Sequence, residues 1–434
     1  MSAQYLGVIG FAAVLLLCAL RVPIAVAMGV VGAVGSVALM GWSSSSFLMS
    51  NLAFEAVYPY GLSVIPLFVF MGVFAAYSGL SQNLYAGINA FVGHRRGGLA
   101  AATIGASAVF GAICGSSLAT CATLGRVALP EMDKRGYSPA FAGAAVAAGG
   151  TLGVLIPPSI ILVIYGLLTQ QSIGALFAAA MVPGLIATLL YMAAVWILVA
   201  RNPEVAPAGP RTPRREWGRA LIGMWDAIIL IGLVIGGIYS KVFSPTEAAA
   251  VGAGAAVLIT AIKGRLSWDV LKLGISETAQ MTGMIFLILI GAALFNLFVE
   301  ASRLPEMLVA AIGQSGLSAP AVVVVMILFY VVLGCFMDSL SMILLTVTPA
   351  YAIVTQLGLD PIWFGVVLVT VAEIGLITPP IGMNLFVIKS LSPKLVLSDL
   401  WRGILPFIGA DLVRVVLIAG LPVLSLWLPR QLGF

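Results

Sequence analysis

The sequence predicts an all-α integral membrane fold of about ten transmembrane helices plus two re-entrant hairpins, in two halves of opposite topology. Three observations predict it. Of 434 residues, 61% are hydrophobic and 9% charged, whereas an average soluble domain carries roughly 25% charged residues. A globule in water has too little polar surface to cover so much apolar side chain. The apolar residues also fall in runs of about 20, the length that crosses a hydrocarbon core. Finally, two further apolar runs are interrupted near their middles by small and polar residues.

The first run, 4–20, has no Lys or Arg before it and Arg21 after it. That order suits a retained span with its N-terminus outside, not a cleaved signal. Spans follow at 22–41 and 62–81. The run 98–131 is broken at Gly115-Ser116-Ser117 and reads as a re-entrant hairpin, whose turn at membrane depth must face protein or a wet cavity. Spans 139–167 and 175–200 complete the first half, 1–200, and the Pro- and Arg-rich linker 201–219 divides the chain. The second half, 220–434, holds spans 220–240, 246–262 and 276–300, a hairpin at 318–350 broken at Asp338-Ser339, and spans 361–391 and 402–428. Amphipathic stretches at 82–94, 266–275 and 304–313 are expected to lie at the interface.

Charge placement supports this order. Arg21, Arg95, Arg96, Lys134, Arg135, the linker arginines, Lys263, Arg265, Lys272, Lys389, Lys394 and Arg402 share one side, and Lys241, Arg303 and Arg430 the other. The crowded side is the cytoplasm, so both termini are periplasmic. Basic residues interleaved with stacking aromatics are absent, which excludes a nucleic-acid site. Cys18, Cys114, Cys121 and Cys335 match neither a metal nor a disulfide spacing and read as packing residues.

The halves resemble each other. Gly111-Ala-Ile-Cys-Gly-Ser-Ser117 corresponds to Gly334-Cys-Phe-Met-Asp-Ser-Leu340, and Gly153-Val-Leu-Ile-Pro157-Pro158 to Gly375-Leu-Ile-Thr-Pro379-Pro380, at an offset of roughly 220 residues. Five spans and a hairpin per half invert the second copy, and matching broken helices in inverted repeats point to a transporter's binding site. Paired prolines remove backbone donors and should unwind 139–167 and 361–391 near the midplane, freeing carbonyls and half-helix ends. The candidate site residues are therefore Gly115, Ser116, Ser117 and Thr120 at the first tip, and Gly150, Thr151, Gly153, Pro157 and Pro158 in the first broken span. Asp338, Ser339 and Ser341 at the second tip join Glu373, Gly375, Thr378, Pro379 and Pro380 in the second broken span. Hydroxyls and free carbonyls suit a hard cation. Two sodium sites are expected, one per half, drawing on Ser116, Ser117 and Gly153 and on Ser339, Gly375 and Thr378. Arg414, well inside the last span, is a functional candidate by its charge at that depth, with snorkelling or pairing with Asp411 or Asp226 as the alternative, and Asn296 is expected to hydrogen-bond a neighbouring helix. Arg126 is placed near the cytoplasmic surface. No serine–histidine or aspartyl-protease motif is present, so an intramembrane enzyme is not expected.

The run 111–120, the Leu129-Pro-Glu-Met132 that closes the first hairpin, Gly153–Pro158, Asp338-Ser-Leu-Ser341 and Gly375–Gly382 resemble the large, DctM-like membrane subunit of tripartite ATP-independent periplasmic (TRAP) transporters, over nearly the whole chain. The resemblance implies the ion-transporter-superfamily elevator fold in the bacterial inner membrane. It also implies sodium-coupled uptake of an organic acid, with no cofactor beyond the coupling sodium ions. A soluble periplasmic binding protein would deliver the acid, and a small four-helix membrane subunit, expected as a separate chain, would complete the complex. In such relatives the residues matching the Gly115–Ser117 tip, the Asp338 tip and the two Pro-Pro breaks line the ion and substrate sites. Glu373 rests on its charge at membrane depth alone. The competing reading is a stand-alone sodium- or proton-coupled carboxylate carrier that needs no binding protein.

Overall fold

The computed structural model describes residues 3–392 and 395–434, and every regular element among them is helical. Lys394, counted above with the cytoplasmic cations, lies outside the described residues. Seven described helices are long and apolar enough to cross a bilayer, or eight if Arg214–Gly223 and Trp225–Tyr239, bent by 47° at their junction, form one span. The remaining predicted spans are helical but shorter. Ala3–Ala19 and Ile24–Met40 have 17 residues each, about 25 Å at the helical rise.

Three boundaries depart from expectation. The interfacial 266–275 and the span 276–300 are one 34-residue helix, Trp268–Ala301. Its polar run at 276–280 contains no proline, so no backbone donor is lost there and the helix continues. The last span instead stops early: Leu397–Gly420 ends at Leu421-Pro422, and Val423–Gln431 restarts as a separate helix. Trp42–Glu55 is a helix that no expectation covered, because its serines at 43–46 carry the composition of a loop.

The interrupted elements pack on one another. The first hairpin is Gly98–Cys114 and Ser117–Lys134, and it lies against the first broken span, Pro139–Leu155 and Ile160–Thr169. The second hairpin, Ala319–Gly334 and Ser339–Gln356, lies against the second broken span, Pro361–Gly375 and Met383–Leu391. Each broken span then crosses over. Met383–Leu391 packs on the returning arm of the first hairpin, and Ile160–Thr169 on that of the second. A second group, Ile24–Met40, Val64–Tyr77, Pro245–Ile262 and Trp268–Ala301, packs together alongside. Within its surroundings Lys263 forms an ion pair with the fully buried Asp226, a neutralisation that a buried carboxylate requires.

The linker does not hang free. The Ser138 amide donates to the Val205 carbonyl at 2.9 Å, the Gly97 amide to Ala206 at 3.2 Å, and the Gly209 amide to Gly93 at 3.0 Å. These bonds fasten residues 205–209 across the entry and the exit of the first hairpin, and Ala206 is fully buried there. Ala206→Asp would bury an unpaired charge and is expected to cost about 3 kcal/mol or more, read as a lowered thermal midpoint in detergent. The same change at the exposed Ala208 is expected to leave the midpoint in place, and equal effects at both positions would contradict the strap.

Candidate functional site

Each hairpin tip is set by a turn and a cap. Gly98–Cys114 stops because Gly115 adopts φ +65°, a left-handed conformation open to glycine. Ser116 then caps Ser117–Lys134, its Oγ accepting the Ala119 amide at 3.4 Å. In the second hairpin Asp338 is the cap. Its carboxylate accepts the Ser341 amide at 3.1 Å and the Ser341 hydroxyl at 2.5 Å. Asp338 and Ser341 thus satisfy each other, while the hydroxyls of Ser117 and Ser339 remain for other partners.

The breaks fall at the paired prolines. Pro157-Pro158 and Pro379-Pro380 are both joined by cis peptide bonds. Ser159 restarts its helix by accepting the Leu162 amide at 3.3 Å, and the Thr378 hydroxyl returns to the Ile374 carbonyl at 2.6 Å. The two breaks differ in exposure: Pro157 and Pro158 are buried, Pro379 is half-buried and Pro380 exposed. Above each break the hairpin crosses the broken span backbone to backbone. A Cβ on Gly111 would stand 2.2 Å from Gly153 Cα, and one on Gly375 would stand 2.4 Å from Gly334 Cα. Those glycines make the crossings possible.

Glu373 joins the tips. The Ser117 hydroxyl of the first hairpin donates to its Oε2, and the Ser339 hydroxyl of the second donates to its Oε1 at 2.9 Å. The carboxylate is fully buried. Ser117 and Ser339 are the first residues of their helices, so two helix N-termini also face the charge and stabilise it. Beside this point oxygen atoms crowd around two glycines. A Cβ on Gly153 would be 2.7 Å from Thr120 Oγ1 and 3.2 Å from the Ser116 carbonyl, and one on Gly150 3.1 Å from the Ser117 carbonyl and 3.2 Å from Asn384 Nδ2. Thr120 Oγ1 and Asn384 Oδ1 are buried there without hydrogen-bond partners. Asn384 donates to the Ala147 carbonyl at 3.1 Å, tying the second broken span to the first. Sequence reasoning missed Asn384; a buried amide just after Pro-Pro-Ile-Gly is the signal that would have found it. Orphaned buried oxygens of this kind fit a hard cation.

Thr151 belongs elsewhere. Its hydroxyl bonds the Ala148 carbonyl at 2.7 Å and the Tyr191 hydroxyl at 3.0 Å, on the side facing Ile173–Arg201. Tyr191, also missed, donates to Asp411 at 2.8 Å, and Asp411 pairs with Arg414 at 2.9 Å. Of the two partners named for Arg414, Asp411 is the one found; Asp226 is taken by Lys263. Arg126 is exposed, midway along Ser117–Lys134. Asn296 forms no helix–helix hydrogen bond through Oδ1, which is buried and unpartnered beside a cavity of about 250 Å³ also lined by Leu52, Leu168, Glu300 and Leu344.

Comparison with known proteins follows the same lines. The model of the tripartite ATP-independent periplasmic transporter, DctM component, matches residues 11–424. The chain belongs to the DctM family. The C4-dicarboxylate TRAP transporter large permease protein DctM of Pseudomonas aeruginosa is 38% identical over 383 residues, covering 88% of each chain. The sialic acid TRAP transporter large permease protein SiaM of Vibrio cholerae is 32% identical over 85% of this chain and 86% of its own. Among solved structures, the YdaH transporter of Alcanivorax borkumensis superposes over 98% of each chain with a TM-score of 0.62 at 17% identity, a likeness of fold. The relatives named are transporter permease subunits, and the many apolar helices together with this family make the chain a multi-pass membrane protein.

Proposed function

We propose that this DctM chain performs sodium-coupled uptake of an organic acid by an elevator movement, receiving the acid from a periplasmic binding protein and working with a small membrane subunit. The observation that carries the reading is the meeting of both hairpin tips on one buried carboxylate, through Ser117 and Ser339. Two hydroxyls and two helix N-termini are chemistry that holds a carboxylate. The named relatives carry acids, C4-dicarboxylate and sialic acid, and we assign this chain the same class. Sodium occupies two sites in this reading. One uses Ser116, Ser117, Gly153 and Thr120 with Asn384, and the other Ser339, Gly375 and Thr378. The cations offset the charge that an acid brings to membrane depth. The halves 1–200 and 220–434 act as inverted repeats joined by the cytoplasmic linker, with both termini periplasmic.

Uptake into proteoliposomes holding this chain and its small subunit tests the proposal, with the binding protein, its labelled ligand and an imposed sodium gradient supplied. Uptake is expected only when sodium and the binding protein are both present, and Ser117→Ala and Ser339→Ala are each expected to lower it about tenfold or more while the protein still inserts. Undiminished uptake with choline replacing sodium would reject ion coupling, and uptake without the binding protein would favour the stand-alone carrier.

A further inference from the structure

We infer that Glu373 is a built-in latch: it fills the carboxylate cradle between the hairpin tips in the unloaded carrier, and the carboxylate of the transported acid takes Ser117 and Ser339 from it. The inference rests on the reading of those tips as the acid's binding point.

Glu373 sits in the last turn of Pro361–Gly375 and is fully buried. Among the described residues no cation lies within ion-pairing distance of it; the ion pairs are Lys134–Glu131, Lys263–Asp226 and Arg414–Asp411. Its carboxyl group is held by two hydroxyl donors and faces the N-termini of two 18-residue helices, Ser117–Lys134 and Ser339–Gln356, with the Arg414 charge acting on it from farther off. Nothing in that set is particular to a side chain of this protein. Any carboxylate of the same size would satisfy it, and a transported acid carries one. Two carboxylates cannot share the cradle, because like charges a few ångströms apart in a dry site repel strongly. The resident group and the incoming one therefore exclude each other.

The contact is also the direct link between the hairpins at their tips. Ser117 and Ser339 belong to opposite halves of the chain, 222 positions apart, and the same residue holds both. With the cradle filled by Glu373 the tips are closed on each other without substrate. Such a closed, empty arrangement lets the carrier reset without letting ions through alone. Handing both serines to the acid couples loading to release of the latch, and the acid's apparent affinity is lowered by the fraction of carriers that are latched.

The test uses the chain with its small subunit in lipid nanodiscs, with succinate and sialic acid as probes in sodium buffer. Glu373→Gln keeps the shape and removes the charge. It is expected to speed amide hydrogen exchange about tenfold in peptides covering 111–121 and 334–345 without ligand, and to tighten acid binding about tenfold. Ser339→Ala removes a donor from both occupants. It should speed exchange similarly yet weaken acid binding, and these opposite signs on binding are the signature of a competitor. Unchanged exchange at the tips in Glu373→Gln overturns the latch. Weaker acid binding in Glu373→Gln overturns it too, making Glu373 part of the binding apparatus. If the wild-type complex binds neither acid, the organic-acid reading of the tips fails, and the exchange result still decides whether Glu373 holds the hairpins together.

Discussion

Arg414→Met is expected to cost about 3–5 kcal/mol of fold stability, because it strands Asp411 as an unpaired charge in the interior. Both side chains are fully buried. The guanidinium pairs with Asp411 at 2.9 Å, reaches the Thr370 carbonyl at 3.4 Å and lies over the Tyr191 ring at 6.0 Å. Tyr191 in turn donates to Asp411 at 2.8 Å and meets Thr151 at 3.0 Å. The chain of contacts therefore joins both broken spans to Ile173–Arg201 and Leu397–Gly420. Removing both charges together, as in Asp411→Leu with Arg414→Met, should restore most of the loss, since an apolar pair of similar volume costs no desolvation. Thermal unfolding of the purified complex in detergent reads both. An unchanged midpoint in Arg414→Met, or a double variant no better than the single, would contradict this account.

Gly375→Ala and Gly111→Ala are the second large pair, with an expected loss of about 3 kcal/mol each and of uptake altogether. Their added methyl groups meet main chain, Gly334 Cα at 2.4 Å and Gly153 Cα at 2.2 Å. Backbone offers no rotamer to move aside, so the hairpin itself must lift from the broken span. Gly283 provides the contrast. A Cβ there meets nothing within 4 Å, and in the helix Trp268–Ala301 the change to alanine should stabilise by about 0.5–1 kcal/mol. Unfolding midpoints of the three variants, with uptake beside them, check the ordering. If all three behave alike, the crossings carry no special constraint.

Much of the architecture was legible before any coordinates. Apolar length located the spans, Gly115-Ser116-Ser117 marks the first hairpin turn, and Asp338-Ser339 marks the start of the second hairpin's returning arm, whose outgoing arm ends earlier at Gly334. The paired prolines located both breaks. These signals are local: a missing donor or an open φ acts on its own turn whatever surrounds it. The failures were local as well. The boundary expected between 266–275 and 276–300 fell where no backbone donor is lost, and serines at 43–46 concealed a helix that can lie beside the spans.

The site was legible in its parts and not in its wiring. Asp338 and Ser339 are neighbours in sequence, yet one caps its own helix and the other reaches Glu373. Thr151 and Gly153 are two residues apart, yet the first turns to Tyr191 and the second to the first hairpin. A helix sends residues two apart to different faces, and which face meets which neighbour depends on how the helices cross. By itself the sequence determined that this chain lives in a bilayer, where it turns back and where its helices break, because hydrophobic length and backbone chemistry act at short range. Only the tertiary structure decided that serines from opposite halves share one buried glutamate and that Asp411 rather than Asp226 neutralises Arg414. Ser117 reaches Glu373 across 256 residues and Lys263 takes Asp226 from 37 residues away, leaving Arg414 to Asp411 one turn along its own helix, and the backbones approach closely only where glycines let them cross.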